Sequence, residues 1–277
     1  MNALYSRRIE PAESPLPLEL VETQVDLYYH IALAMYLAIE ANNRRGQATV
    51  FILPVGPVWQ YRRFVELCRL RAPDLSRAHF FFMDEYLNED GKLIAPEHPL
   101  SFRGFVEREL ITPMPASARL DREQVRFPDP EKPADTDRRL ESLGGAEVCF
   151  AGVGINGHLA FNEPPEAGTA CSEEEFARLP TRVVRLSRET IITNSHTALS
   201  GAYEEIPHQA VTVGMSQILA SRQIRIYLNR PWQSAVARRL MFGEVSSRFP
   251  ASLVRSHPQA QLVMLKELAE PPRIGLA

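Results

Sequence analysis

Cysteine is scarce in this chain of 277 residues: Cys68, Cys149 and Cys171 are an odd number with no CxxC spacing. Cys149 lies inside the apolar run Val148–Ala151, where it reads as a small buried hydrophobe, and such usage suits a reducing cytosol. A long hydrophobic run is also missing. The opening segment from Met1 to Arg8 holds no apolar stretch fit for a signal peptide or membrane span, so a cytoplasmic protein is expected. Charge of one sign is not in excess either. With a formal net charge of -3 and no long basic run, no nucleic acid and no membrane surface is expected as a partner. There is no internal repeat, low-complexity segment or long linker, so residues 1–277 are read as a single domain.

What is present is an alternation of short apolar runs with longer amphipathic ones. Apolar residues recur at helical spacing from Val21 to about Ala41, and helices are also expected over Val58–Leu70, Ser101–Leu110, Ala134–Ser142, Arg188–Asn194, Met215–Ala220 and Gln233–Phe242. Strands are expected at Ala48–Pro54, His79–Met83, Glu147–Val153, Arg182–Leu186, Gln223–Leu228 and Gln261–Leu265. The Pro-rich tract Phe127–Pro133 reads as a loop. Strands apolar on both faces, alternating with helices, predict an α/β fold: a Rossmann-like three-layer sandwich with a mostly parallel sheet. Ligands of such folds bind beyond the carboxyl ends of the strands.

Chemically distinctive residues stand at those ends: Pro54-Val55-Gly56-Pro57, Asp84-Glu85-Tyr86, and Gly154-Ile155-Asn156-Gly157-His158. Side chains alternate along a strand, so one of Asp84 and Glu85 is expected to face the cleft. An acid there suits a general base acting on a carbon-bound proton; the competing reading has both acids capping the next element or pairing with arginines. The glycines of Gly152–Gly157 let a ligand approach the main chain. A dinucleotide site is disfavoured, because Asn162-Glu163-Pro164-Pro165 breaks the chain where a helix should open. His158 and Glu163 form a candidate relay, with the carboxylate fixing the imidazole tautomer. Their spacing does not match HExxH, and no metal site is expected.

Met83-Asp84-Glu85-Tyr86 and Gly152–Pro164, with its run GHLAFNEP, closely resemble the signature segments of the glucosamine-6-phosphate deaminase/isomerase family, which is related to the 6-phosphogluconolactonases. Glu97–Phe102, Leu186–Ser195 and Ala210–Met215 resemble further segments in the same order, so the likeness spans roughly residues 20 to 265. The resemblance implies a cofactor-independent enzyme that interconverts an amino sugar phosphate with a keto sugar phosphate and ammonia. It implies Asp84 as the base at the sugar's C2, His158 as the group assisting ring opening, and Glu163 supporting His158. Asn156 stands where many members carry aspartate; it can hydrogen-bond the imidazole but cannot accept a proton. Pro54, Gly56, Glu85, Gly154, Ile155, Gly157 and His196 are the expected substrate-binding positions. The rival readings are a sugar-phosphate lactonase and a non-catalytic sugar sensor. Glu163 and Tyr86 favour the deaminase side, and the intact Asp84, His158 and Glu163 argue against a sensor. Such enzymes include hexamers and monomers, so a homo-oligomer stays open.

The gripping end departs from the family. Its phosphate turn reads Leu53-Pro54-Val55-Gly56-Pro57-Val58-Trp59, with Val55 and Val58 for hydroxyl residues and Pro57 for a glycine, which removes a backbone donor. The family's arginine is His196, and its lysine falls near Trp232 or Gln233. Either Arg230, Arg185 or Arg188 supplies charge from a new direction, or the substrate lacks the phosphate and Trp59 or Trp232 stacks on a sugar face. Core packing is the plainer reading of each tryptophan. The segment at Glu166 and Ala167 is a poor match to the family's regulatory site, so allostery by an amino sugar phosphate is not expected.

Overall fold

The computed structural model describes residues 3–56, 59–272 and 275. Strands β1 (Leu18–Val21), β2 (Thr49–Leu53), β3 (Ala78–Phe82), β4 (Asp84–Leu87), β5 (Val125–Arg126), β6 (Val148–Ala151), β7 (Arg182–Arg185), β8 (Gln209–Thr212), β9 (Gln223–Leu228) and β10 (Ala260–Leu265) form two sheets. The larger is parallel throughout in the order β1-β10-β9-β6-β2-β3-β5. Its inner strands β2 and β6 are buried along their whole length, as the continuous apolar runs require. The expected α/β sandwich is what forms.

A three-stranded sheet, β4-β8-β7, is antiparallel and was not anticipated. β7 alternates half-buried and exposed residues, a one-faced pattern, and so does not belong in a doubly covered parallel sheet. The link between the sheets is a single residue. Met83 N donates to Leu53 O, its carbonyl accepts from Val213 N, and β4 starts at Asp84.

The helices fall close to their expected places. Gln24–Arg44 opens on a Thr23/Asp26 capping box, and Gln60–Arg71 ends at Ala72 in the left-handed conformation. The expected start of the latter, Val58, lies with Pro57 outside the described residues. Pro133–Ser142 follows the Pro-rich loop with proline at its first turn. Phe102–Val106 is α-helical and runs on as a π-helical turn, Glu107–Ile111.

In the large sheet the chain leaves β2 for β3 on one side and β6 for β9 on the other. The ends of β2 and β6 therefore flank a switch point, where the crossovers diverge and a crevice opens. No helix among the described residues is long and apolar enough to cross a membrane.

Candidate active site

A cleft of about 220 Å³ lies at that switch point, walled by Pro54, Val55, Gly56, Asp84, Gly154 and His158, and by residues of the 188–198 helix and of the segment after β9. The acid pair divides as alternation requires. Asp84 faces the cleft and is 8% exposed, and its carboxyl has no hydrogen-bond partner among the described residues. Burial, and then the adjacent Glu85 charge, push its carboxyl up to about 8.

Glu85 points away and is fully buried. Its carboxylate accepts from Ser101 Oγ (3.0 Å), Phe102 N (3.1 Å), Arg103 N (2.8 Å) and Tyr86 N (2.9 Å). Its expected place among the substrate-binding residues is corrected accordingly. It anchors the start of the 102–106 helix, because a buried charge needs every oxygen partnered.

The second loop is built around His158. A side chain at Gly154 would have its Cβ 2.1 Å from the imidazole, so only glycine leaves the ring its place. Asn156 is the hub. Its Nδ2 donates to Glu163 Oε2 (2.5 Å) and Ser187 Oγ (3.0 Å), while its Oδ1 lies 2.9 Å from His158 Nδ1. A carboxylate only accepts, so the Asn156 nitrogen must face Glu163 and its oxygen the ring. Nδ1 then carries the proton, and Nε2, bonded to no described residue, keeps its lone pair on the cleft side.

Glu163 itself stands 3.5 Å from Nδ1. Burial would raise its carboxyl, but the adjacent His158, with Thr190 and Asn156, brings it down to about 2. Asn156, expected to hydrogen-bond the imidazole, is its nearer partner, and Glu163 supports the ring chiefly through Asn156. Sequence reasoning missed Ser187 and Thr190, whose Oγ1 lies 3.2 Å from Nδ1; the match over Leu186–Ser195 was the available signal.

Of the expected substrate-binding positions, Pro54, Gly56 and Gly154 line the cleft. Ile155, Gly157 and His196 do not: Gly157 (φ 93°) turns against the Phe249 ring, and His196 sits exposed on its helix. Arg185 and Arg188 line a separate depression. Trp59 is 41% exposed, lies outside the cleft and carries the Arg62 guanidinium over its ring, so neither core packing nor sugar stacking describes it. Trp232 packs on the core and also borders the cleft. No group of three or more His, Cys, Asp or Glu among the described residues is placed to hold a metal.

The chain is 26% identical over 229 residues to a glucosamine-6-phosphate deaminase of Thermoanaerobacter pseudethanolicus, covering 80% of this chain and 83% of that one. It is 29% identical over 219 residues to a glucosamine-6-phosphate deaminase of Porphyromonas gingivalis, covering 76% of each. In sequence the chain is thus similar to glucosamine-6-phosphate deaminases over about four-fifths of its length. No family model matches it. A solved monomeric glucosamine-6-phosphate deaminase shares the fold with a TM-score of 0.75 at 22% identity, over 91% of this chain and 98% of that one. The 6-phosphogluconolactonase of Trypanosoma cruzi shares it at 0.65 and 16% identity, over 91% and 95%. Asp84 and His158, which stand in the two segments that resemble the deaminases, both wall the cleft, whereas the β2 turn offers no hydroxyl side chain at Pro54–Gly56.

Proposed function

We propose that the protein isomerises and deaminates an amino sugar phosphate of the glucosamine-6-phosphate type, yielding the keto sugar phosphate and ammonia. One observation carries the reading: an unpartnered buried carboxylate and an imidazole with a free Nε2 face the same cleft. In ring opening, His158 Nε2 takes the proton of the anomeric hydroxyl and returns one to the ring oxygen. Asp84 then removes the proton on C2, the electron pair moves onto the aldehyde oxygen, and that oxygen takes a proton from the C2 ammonium, giving an enol-amine. The same carboxyl returns a proton to C1. The resulting C2 imine adds water and expels ammonia. The sugar's own carbonyl accepts the electrons, so the reaction needs no cofactor.

Asp84 is protonated more than half the time below about pH 8 in the free protein. A substrate ammonium at C2 favours its ionised form on binding. A lactonase would need a base for water and none for carbon, and the sequence relatives named above are deaminases. The chain is read as one domain over 1–277 acting in the cytoplasm.

The test is a substrate panel. Ammonia release from glucosamine-6-phosphate is expected. Hydrolysis of 6-phosphogluconolactone without ammonia from any amino sugar phosphate would move the assignment to a lactonase.

A further inference from the structure

An amino sugar phosphate brings a dianion into the cleft, and the donors that can meet it are few. Thr193 and Thr197 spend their hydroxyl protons on helix carbonyls. Asn194 Nδ2 donates to Tyr86 Oη, Asn229 Nδ2 to Tyr28 Oη, and Gln233 Nε2 to Val153 O. The Val55–Gly56 turn can offer main-chain amides only. Arg230 is different. Among the described residues it is the one Lys or Arg lining the cleft, and its guanidinium has no hydrogen bond or ion pair with any of them. Two residues on, Trp232 Nε1 is buried without a partner. A buried N–H left unpaired is costly, and a ligand oxygen would relieve it. The turn that carries both is held in place: Gln233 Oε1 accepts from Asn229 N and Arg230 N (both 2.9 Å), and its Nε2 ties the turn to the end of β6.

We infer that Arg230 and the Trp232 indole N–H form the anion anchor of this protein, gripping the substrate's phosphate from the β9 side of the cleft and not from the β2 turn. The inference rests on the amino sugar phosphate reading above. The guanidinium supplies a planar fork for phosphate oxygens, and the indole fixes one more oxygen in direction. With the phosphate held there, the reacting end of the sugar lies toward Asp84 and His158.

The experiment has two arms. In a Trp59→Phe background the remaining tryptophan, Trp232, reports binding by its fluorescence, and inorganic phosphate is the probe. A saturable change is expected, weakened at least about tenfold by Arg230→Gln and less by Arg230→Lys. No saturable change, or equal affinity in Arg230→Gln, overturns the anchor. In the kinetic arm, Arg230→Gln should lower kcat/KM for glucosamine-6-phosphate roughly tenfold to a hundredfold, chiefly through KM, the span of a hydrogen bond to a charged group. A fall below about threefold overturns it as well. Phosphate binding that depends on Arg230, in a protein that releases no ammonia from any amino sugar phosphate, would sink the deaminase reading and leave the anchor standing.

Discussion

The two ends of the cleft are built on opposite plans. Around His158 nearly every polar atom is spoken for: Asn156, Glu163, Ser187 and Thr190 fix one another and the ring. At the β9 side, Arg230 and Trp232 Nε1 are left without partners on a firmly pinned turn. Chemistry needs a chosen tautomer, and a protein can choose it before substrate arrives. Gripping needs donors that the substrate itself completes. A fully bonded wall and a wall with open donors are therefore signs of different tasks within one site.

Substitutions should separate the two walls. The largest effect is expected at Asp84: Asp84→Asn removes the base and should lower kcat by roughly 10²–10⁴ in an ammonia-release assay, since that is what a positioned base supplies. Next is Asn156→Leu, which removes the acceptor of Nδ1–H and one of the donors to Glu163. About a tenfold loss, in kcat more than KM, is expected from steady-state kinetics, the reverse of the split expected at Arg230.

The pH dependence follows from the same wall. Asp84 must be ionised to act, so kcat/KM should rise with pH toward a half-maximum near 8. The stability effect has the opposite sign. The folded state holds the Asp84 proton up to about pH 8, whereas an unfolded Asp releases it near 3.8, so stability falls across that window. Asp84→Asn should flatten this fall in thermal melts taken from pH 5 to 8. Glu85→Gln touches neither wall. It exchanges a carboxylate with several donors for an amide and should cost about 1–3 kcal/mol of stability by denaturant unfolding, with only a small effect on KM.

Much of this architecture was legible in the chain. β2, β3 and β6 announce themselves as mostly apolar runs, and their ends carried the chemistry, because strand ends are where a parallel sheet leaves room for ligands. The small antiparallel sheet was not legible: β4 and β8 are short, buried and joined by pairing across more than a hundred residues, which local periodicity does not report. Alternation foretold that Asp84 and Glu85 would part, but not that Glu85 would hold the 102–106 helix. That depends on where Ser101–Arg103 folds back. Asn156 looked like a weakened relay in sequence, since the bond from its amide to Glu163 is a tertiary fact. Arg230 could be named as a candidate, but its freedom from partners could not.

The most direct test of the account follows the hydrogen on C2 of glucosamine-6-phosphate by proton NMR, in the wild type and in Asp84→Asn. The account predicts that the C2 hydrogen leaves the substrate as fast as ammonia appears with the wild type, and stays in place with Asp84→Asn. Loss of that hydrogen at similar rates in both proteins would contradict Asp84 as the carbon base.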